Sequence, residues 1–474
     1  MSKHTTAKLR MVALLLATSG VAHAKPLGEV IDAYVDEGLR SNLSLQSQTL
    51  EVERNLAALD AAQARFLPAF ALEARYTRAD GGREISIPVG TLLNPAYATL
   101  NELLAAQGQA PRFGTIEDQS IPFIREREQD TRVTVRQPIY APAIPAAVRA
   151  QSAQLEASEL GRIALARKLK RDITVGYLDW LRATHAVQIV QASLALLQEN
   201  LRVNESLFRN GKVTEDQVLR ARAELLAVEQ QLRDAQNTGT QAQSYLNFLL
   251  NRSLSEPLEI AEVNGQMQRT AHDLGSLRAA AITNRPEIAQ LDRTVKAAES
   301  QIQIARSDLK PTLSLGVDAG TQGEQYEFGR GSNFATVSLL LNWQFFDGGA
   351  NRAQVRGARA VARQAATRRD EISRQIQLEV QQALDRLVTT TASLDTAQAR
   401  VEAARAAFRI ASRKRDEGVI NQVEFIDSRS TLVGAELNLN VTTFDVFARQ
   451  AELDYATAAG RLPLSIGVTD GQGP

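Results

Sequence analysis

The chain contains one stretch of sequence twice. Residues 208–225, FRNGKVTEDQVLRARAEL, are echoed by residues 415–432, RDEGVINQVEFIDSRSTL. Three pairs align at a single offset (418 − 211 = 207): Gly211 with Gly418, Arg222 with Arg429 and Leu225 with Leu432. A chain that repeats its own sequence is expected to fold into two copies of one structural unit, so the fold must be an internal duplication.

Further anchors show where the two repeats differ in length. Residues 135–140, VRQPIY, match residues 342–347, NWQFFD, at the same offset (344 − 137 = 207). The match between Pro68 and Pro311 has a larger offset (311 − 68 = 243). The first repeat therefore carries a longer segment between its proline and its glutamine anchor, and extra length between equivalent elements is usually a loop.

The N-terminus is typical of a secretory signal peptide. Basic Lys3, Lys8 and Arg10 precede a short apolar core at residues 11–17, and Ala22-His23-Ala24 is a cleavage site of the A-x-A kind, so residues 1–24 are the predicted signal. The apolar core is too short for a membrane anchor, which needs about 20 residues. Because the chain has no cysteine, it is not a lipoprotein with an acylated cysteine. Its net charge of zero argues against a nucleic-acid binder.

Long tracts rich in Ala, Gln, Arg, Glu and Leu predict helices. They contain almost no internal proline, and their apolar residues recur at three and four. The four longest are residues 143–210, 215–251, 350–417 and 422–460, and two shorter tracts are residues 42–66 and 286–309. A tract of roughly 65 residues is on the order of 100 Å long, so these helices need neighbours along their whole length.

Four shorter segments alternate with period two and predict strands. In the first, Phe70, Leu72 and Tyr76 point one way and Glu73 and Arg75 the other. The four alternating runs are residues 70–77, 132–136, 313–318 and 337–345. Each is close to the 9–11 residues that a tilted strand needs to cross a bilayer. Four aromatic residues lie near one end as a predicted interfacial belt: Tyr140, Trp343, Phe345 and Phe346. The alternative is a half-buried sheet on a soluble core.

Four strands cannot close a transmembrane barrel. An open sheet edge in lipid leaves backbone groups unpaired, and each such group costs several kcal/mol. If the strands cross a membrane, the chain must therefore assemble with other copies to close its sheet. This argument allows two, three or more copies.

Together these segments resemble the TolC family of outer-membrane efflux proteins. The resemblance rests on RPEI at 285–288, KPTLSL at 310–315, FFDGG at 345–349 and the two glycine-centred turns. It implies a mixed α and β membrane protein, a homotrimer whose three chains form a twelve-stranded barrel continued by a periplasmic α-helical barrel. The strands that it implies are residues 66–78, 131–140, 311–321 and 333–346. It also implies a passive exit duct of a tripartite efflux pump or a type I secretion system. The implied partners are a periplasmic adaptor, an inner-membrane transporter and outer-membrane lipid.

The resemblance also implies how the chain is divided. Residues 25–251 are the first repeat, residues 252–284 an equatorial linker and residues 285–474 the second repeat. Within the linker, residues 258–263 are expected to be strand-like and residues 274–283 helical; with residues 27–40 they would form a belt around the tunnel. Residues 79–130 and 322–332 would be extracellular loops, and residues 92–106 predict a short helix in the longer one.

The two turns and the residues beside them are the candidate functional sites. Gly211 and Gly418 interrupt helical patterns, and glycine readily adopts the left-handed conformation that ends a helix. An ordinary helix–turn–helix explains this physically, and the resemblance adds that the turns are periplasmic tips where adaptors dock. The tip residues are Asn210, Gly211, Lys212 and Val213, and Glu417, Gly418, Val419 and Ile420.

Beyond the second tip, Glu424 and Asp427 are three residues apart and share a helix face. By resemblance, such a pair lines the periplasmic entrance, and three copies would form a ring of carboxylates that attracts cations. The alternative is a solvated surface pair.

Three positions depart from the family's gate pattern. Gln217 stands where an acidic residue is expected, and Arg415 and Ile420 stand where a tyrosine and an arginine are expected. Gln217 and Arg415 are therefore only possible gate contacts. Arg413, Lys414 and Arg415 could instead pair with three acidic residues, or form a solvated basic cluster; the acidic residues are Asp216, Glu417 and Glu424.

The sequence argues against an enzyme. Its four histidines are scattered, it has no cysteine, and it shows no phosphate-binding glycine loop and no metal-ligand spacing, so we expect neither cofactor nor metal. His185 and His272 have no partner that the sequence reveals. The main alternative to an outer-membrane duct is a soluble periplasmic coiled-coil adaptor or scaffold, which would share the signal peptide and the helices but would not need four alternating strands.

Overall fold

The computed structural model describes residues 25–263, 273–460 and 462, so the predicted signal peptide lies outside the described residues. Nine helices and six strands lie within those ranges. The helices are α1 (Leu27–Ser41), α2 (Leu43–Ala64), α3 (Val89–Ala106), α4 (Ala143–Arg209), α5 (Glu215–Leu249), α6 (Leu274–Asn284), α7 (Pro286–Ser307), α8 (Ala350–Asp416) and α9 (Gln422–Ala456). The strands are β1 (Ala69–Arg78), β2 (Glu84–Ile87), β3 (Gln119–Pro122), β4 (Arg127–Tyr140), β5 (Thr312–Gly323) and β6 (Asn333–Asn342).

The chain divides into two compact units. A strand unit contains Glu53–Ala157 and Leu291–Arg368, and a helical unit contains the described residues within Met1–Val52, Ser158–Gln290 and Arg369–Pro474. No helix of the described residues combines the length and apolar character that a membrane span requires.

The duplication is visible in the lengths of the helices. α4 and α8 both have 67 residues, and α5 and α9 both have 35. α2 and α7 both have 22 residues. Helices at equivalent positions of the two repeats thus have the same length. Each repeat forms a long helix, a tight turn and a shorter returning helix.

The strand unit is built on an antiparallel sheet in the order β1-β4-β5-β6. β1 pairs with β4 so that Phe70 lies opposite Val135 and Leu72 opposite Val133, and β5 pairs with β6 so that Leu315 lies opposite Leu339. Neighbouring strands of the sheet are joined by backbone hydrogen bonds, but β1 and β6 each keep one edge without a partner strand among the described residues. The sheet is therefore open at both sides within one chain.

The longer loop carries structure of its own. β2 and β3 form a second, two-stranded sheet, and α3 confirms the predicted loop helix. Two asparagines of α3 bind the returning chain: Asn94 Nδ2 donates to the Ile116 carbonyl at 2.9 Å, and Asn101 Nδ2 donates to the Phe113 carbonyl at 2.7 Å. β4 begins at Arg127, earlier than predicted, because β1 continues to Arg78 and pairs with it.

The last strand is shorter than predicted. The sequence predicts a strand over residues 333–346, but β6 ends at Asn342 because its partner β5 begins at Thr312, which lies opposite Asn342. Beyond that pair, the Trp343 indole Nε1 donates to the Leu309 carbonyl at 3.1 Å. Trp343, Phe345 and Phe346 therefore follow the strand rather than belong to it.

The main core of the helical unit gathers around α4. Its buried side chains include Val35 of α1, Ile173 and Tyr177 of α4, and Leu246 of α5. The Tyr177 hydroxyl donates to the Glu259 carbonyl at 2.8 Å and accepts from the Ala261 amide at 3.0 Å, and burial raises its pKa. These bonds fix Glu259 and Ala261 against α4. The segment 258–263, expected to be strand-like, forms no strand and has only an isolated bridge, between Glu262 and Pro26.

Two equivalent residues break the helices that lie end to end. Asn42 separates α1 from α2, and its side chain donates to the Leu249 carbonyl at 2.9 Å and accepts from the Leu45 amide at 3.1 Å. Arg285 separates α6 from α7 and donates to the Ala456 carbonyl at 3.4 Å. Each of these side chains therefore binds the carbonyl end of the returning helix of its own repeat.

We expect Asn42→Ala to lower the free energy of unfolding by about 1–3 kcal/mol, because it leaves a buried carbonyl without its donor and removes a helix cap. Denaturant unfolding followed by helical circular dichroism measures this loss. Ser47→Ala, at an exposed position of α2, is the matched control. Equal losses for the two variants would contradict a role for the Asn42 hydrogen bonds.

Candidate functional site

The first helical tip is closed by a glycine. At the end of α4, Gly211 has a φ of 67°, its amide donates to the Phe208 carbonyl at 2.9 Å, and the Lys212 amide donates to the Leu207 carbonyl at 2.9 Å. This pair of bonds is the Schellman motif, which satisfies the last carbonyls of a helix. A side chain at Gly211 would be strained in this conformation, which confirms the predicted left-handed turn.

The second tip has the same geometry. Gly418 has a φ of 73°, its amide donates to the Arg415 carbonyl at 2.9 Å, and the Val419 amide donates to the Lys414 carbonyl at 2.8 Å. The next helix, α9, is capped by Asn421, whose side chain accepts from the Glu424 backbone amide at 2.9 Å. Both tips are therefore rigid corners between two helices.

The tips present most of their residues to solvent. Asn210, Gly211 and Lys212 are exposed at the first tip, while Val213 is half-buried. Glu417 and Gly418 are exposed at the second tip, and Val419 is 66% exposed. An apolar side chain held outward on a rigid corner is a feature that a protein partner can contact.

The predicted acidic pair lies on the exposed side of α9. Glu424 and Asp427 are both exposed, whereas Gln422, Phe425 and Arg429 on the same helix are buried. The structure thus places the two carboxylates together on one solvent-facing stripe. Their proposed entrance role depends on copies that one chain does not contain.

Arg415 is held within its own hairpin. Its guanidinium lies 4.0 Å from the centre of the Phe425 ring, and Nη2 pairs with the Asp416 carboxylate at 2.8 Å. The cation–π contact joins the end of α8 to the start of α9. The three acidic partners considered from the sequence therefore do not hold Arg415, because the adjacent carboxylate and the aromatic face are closer.

At the first tip, Asp216 and Gln217 also bind partners within their own hairpin. The Asp216 carboxylate pairs with Arg220, one turn further along α5, at 3.7 Å. Gln217 is half-buried, and its backbone amide donates to the Thr214 carbonyl at 3.2 Å. Asp216 therefore stays within the first helical turn of its own hairpin and does not reach the basic residues of the second tip.

Sequence reasoning missed the burial of Arg429. This residue of α9 is 3% exposed, and its Nη1 lies 3.5 Å from the Glu224 carboxylate of α5. Burial lowers the pKa of its guanidinium, an effect that Glu224 partly offsets, and Nε and Nη2 have no hydrogen-bond partner. The repeat alignment pairs it with Arg222, which is exposed and binds Glu205 at 3.2 Å. The only signal in the sequence was that both repeats carry an arginine at this position; the difference in environment appears in the structure.

The four-stranded sheet has one charged face. Arg132 pairs with Glu73 at 2.9 Å, and Arg136 pairs with Asp318 at 2.9 Å. Arg75 lies 3.7 Å from Asp130 on the same face. The opposite face carries exposed apolar side chains: Phe70, Leu72, Val133, Val337, Leu339 and Leu341. The predicted alternation is confirmed, with charge on one side and hydrocarbon on the other.

The predicted aromatic belt lies at one end of this sheet. Tyr140 closes β4 opposite Leu313, the second residue of β5, and Trp343 directly follows the last residue of β6. Trp343 and Phe345 form an edge-to-face pair with ring centres 6.1 Å apart, and Phe345 and Phe346 are strongly exposed.

Within the residues that the structure describes, no group of three or more acidic or histidine side chains could hold a metal.

Comparison with known proteins relates this chain to transport channels. The profile of the outer membrane efflux protein family matches residues 34–252 and 277–459. The alkaline protease secretion protein AprF of Pseudomonas aeruginosa is 22% identical over 362 residues, which are 73% of this chain and 72% of AprF. The pyoverdine export outer membrane protein OpmQ of Pseudomonas putida is 24% identical over 286 residues, 60% of each chain.

The fold is also similar to a solved channel. The Campylobacter jejuni CmeC outer membrane channel superposes with a TM-score of 0.77 at 16% identity, covering 97% of this chain and 94% of CmeC. An identity this low shows the fold alone, and the long coverage means that both repeats and the strand unit are shared.

We expect Glu224→Gln to lower the free energy of unfolding by about 1–3 kcal/mol, because it leaves the buried Arg429 charge without its partner. Arg429→Met, which removes the buried charge, should cost less or nothing. Denaturant unfolding measures both. Arg222→Met, which breaks the equivalent exposed pair, is the control and should cost at most about 1 kcal/mol. If Arg222→Met lowered the free energy of unfolding as much as Glu224→Gln does, burial would not be what makes the Arg429–Glu224 pair costly to break.

Proposed function

The chain belongs to the outer membrane efflux protein family, and from that membership we propose that it forms the outer-membrane exit duct of a tripartite efflux pump or a type I secretion system. The observation that carries the proposal is the four-stranded sheet, which has one apolar face, one charged face and two open edges. A membrane barrel needs an apolar exterior and tolerates a polar lumen.

Three copies would close the sheet. With four strands from each chain, the barrel would have twelve strands, and every open edge of β1 would pair with an open edge of β6 from another copy. Closure satisfies the backbone groups that lipid cannot hydrogen-bond. The apolar stripe of Phe70, Leu72 and Leu339 would then face lipid, and the Arg132–Glu73 and Arg136–Asp318 pairs would line the lumen.

The helices would continue the duct through the periplasm. α4 and α8, with 67 residues each, are on the order of 100 Å long. The tips at Gly211 and Gly418 would dock a periplasmic adaptor, which joins the duct to an inner-membrane transporter that supplies energy. The chain itself would do no chemistry.

The acidic pair would set the charge of the periplasmic entrance. Three copies of Glu424 and Asp427 would bring six exposed carboxylates to one ring. Such a ring concentrates cations and resists closure, because like charges repel at short range. The arginine and tyrosine latch of the wider family would be replaced here, since Arg415 is bound by Phe425 and Asp416.

A soluble adaptor or scaffold is the competing function. It would leave a sheet with many exposed apolar side chains facing water, and soluble proteins rarely expose apolar patches of that kind. The names of the relatives AprF and OpmQ refer to different cargo, alkaline protease secretion and pyoverdine export, so we assign no cargo to this chain.

We expect Leu339→Lys to block assembly into the outer membrane, because a lysine facing lipid at mid-bilayer costs about 2–4 kcal/mol. Thr336→Lys, on the opposite face beside Asp318, is the matched control and should assemble normally. Membrane fractionation with detergent extraction measures both. Normal assembly of Leu339→Lys together with failure of Thr336→Lys would reverse the proposed orientation of the sheet.

We expect the double variant Glu424→Gln, Asp427→Asn to lose cation selectivity in planar-bilayer recordings, because it removes the charge of the entrance ring while keeping its size. The loss should be largest at low salt, since high ionic strength screens the wild-type ring. Glu53→Gln with Glu402→Gln, at two exposed positions away from the tips, is the control. Unchanged selectivity in the tip variant would remove the ring from the proposal.

A further inference from the structure

The longer loop of the strand unit has an unusually apolar surface. Residues 85–111, which include all of α3, contain one charged side chain, Glu102, and neither lysine nor arginine. Several large apolar side chains of this loop are nevertheless exposed, among them Leu92, Leu103 and Phe123. Soluble surfaces rarely carry apolar patches of this kind unless a partner covers them.

One face of α3 is covered by the returning part of the loop. The Asn94 side chain, which donates to the Ile116 carbonyl, also accepts from the Ile116 backbone amide at 2.9 Å. Two turns later, the Asn101 side chain accepts from the Phe113 backbone amide at 3.1 Å. Between them, the Tyr97 ring lies 5.1 Å from the Phe113 ring, centre to centre. Residues 113–116 therefore occupy this face of the helix.

The start of α3 is also fixed to the returning chain. The Asp118 carboxylate accepts from the Thr91 backbone amide at 2.9 Å and from the Thr91 hydroxyl at 2.7 Å. A carboxylate at a helix N-terminus binds free amide groups and is favoured by the helix dipole. At Gly90, a Cβ atom would clash with the Ile116 carbonyl oxygen. The helix is thus held in one orientation on its loop.

A second face of α3, next to the covered one, carries an apolar seam. Its residues are spaced alternately by three and four, which is the spacing of the a and d positions of a coiled coil. All of them are exposed, with Leu103 58% exposed. The residues of this α3 seam are Leu93, Ala96, Leu100 and Leu103. The loop therefore binds the asparagines of its helix and leaves the coiled-coil positions open.

We propose that the α3 seams of the copies that form the duct pack against one another and cap its outer mouth. The inference rests on the proposed function, because the proposed barrel is what brings the longer loops of three copies to the same end. The occupant of each seam is a second copy of α3, since a and d residues of identical helices are complementary to one another.

Lipid fits the α3 seam less well than another helix does. Helices that lie in a membrane surface combine their apolar face with a polar face rich in lysine and arginine. α3 has no basic residue, and its single charged residue is Glu102. Its polar side chains Asn94 and Asn101 are already bound to the loop. The chemistry of the helix therefore favours packing between helices.

The α3 seam is too short to hold free copies together. It spans two heptads, whereas a coiled coil recognisable on its own extends over three or four heptads or more. Three copies that are already joined through a barrel would present their seams to one another at a high effective concentration. The cap would therefore form only within the assembly, and disrupting it would leave the assembly intact.

Cysteine cross-linking tests the contact, because the chain has no cysteine. The full mature chain with Leu100→Cys, extracted in detergent, should give a dimer band on denaturing gels after treatment with an oxidant or a short bismaleimide. Two of the three thiols meet in the cap, and the third stays free. Ala98→Cys is the matched control, because Ala98 is exposed on the far side of α3 from the seam and should not cross-link.

The mass of the untreated assembly separates failure of the cap from failure of the duct. A trimer without a dimer band for Leu100→Cys, or with an equal band for Ala98→Cys, would overturn the cap and leave the duct intact. Absence of any assembly would overturn the proposed function as well. If the Leu100→Cys thiol did not cross-link and lost its reactivity to a polar maleimide only in liposomes, the seam would be assigned to lipid and the cap rejected.

A charged residue in the seam provides a second readout. Adding Leu103→Glu to Leu100→Cys should abolish the dimer band, because three carboxylates would repel one another in the apolar cap. Adding Ala105→Glu, on the far side of α3, is the control and should keep the band. The trimer should persist in both variants. A dimer band that survives Leu103→Glu would contradict packing through the α3 seam.

Access to the lumen tests the closure of the mouth. Thr336 lies on the charged face of the sheet beside Asp318, which is the proposed lumen face. On intact cells, a bulky polyethylene-glycol maleimide should label Thr336→Cys poorly, and should label it more when Leu100→Glu and Leu103→Glu are added. Ala98→Glu with Ala105→Glu is the control and should leave labelling low. Equal labelling of Thr336→Cys with and without the seam substitutions would contradict the cap.

Discussion

Backbone hydrogen bonding at the two open edges of the sheet is the constraint on which the proposed assembly depends. β1 and β6 each expose one row of amide and carbonyl groups, and a bilayer offers nothing to bind them. The apolar side chains around Leu72 and Leu339 make lipid the natural surrounding of one face of the sheet. Closure with further copies would satisfy both demands, so the proposed assembly follows from the strand count.

Duplication provides the rest of the architecture. Each repeat supplies two strands of the sheet, one long helix and one returning helix, and the glycine at each tip reverses the chain with the same two hydrogen bonds. The differences between equivalent positions, such as buried Arg429 and exposed Arg222, mark where the repeats have taken different roles.

Local patterns predicted most of the elements correctly. Period-two alternation identified the strands, and the absence of proline identified the long helices, because both signals depend on residues close in sequence. The end of β6 could not be predicted, since it depends on where β5 begins. The sequence left the partners of Arg415 open, because its stacking on Phe425 requires the hairpin to be folded. The burial of Arg429 likewise depends on α5, which lies some 200 residues earlier in the chain.

The most direct test of the account is the mass of the mature protein extracted from outer membranes in mild detergent, measured by native mass spectrometry after the detergent is removed in the gas phase. Closure of a four-stranded sheet into a twelve-stranded barrel predicts one species with three chains. A monomer that stays in solution without detergent would contradict the account, because its sheet edges and its apolar face would then be stable in water.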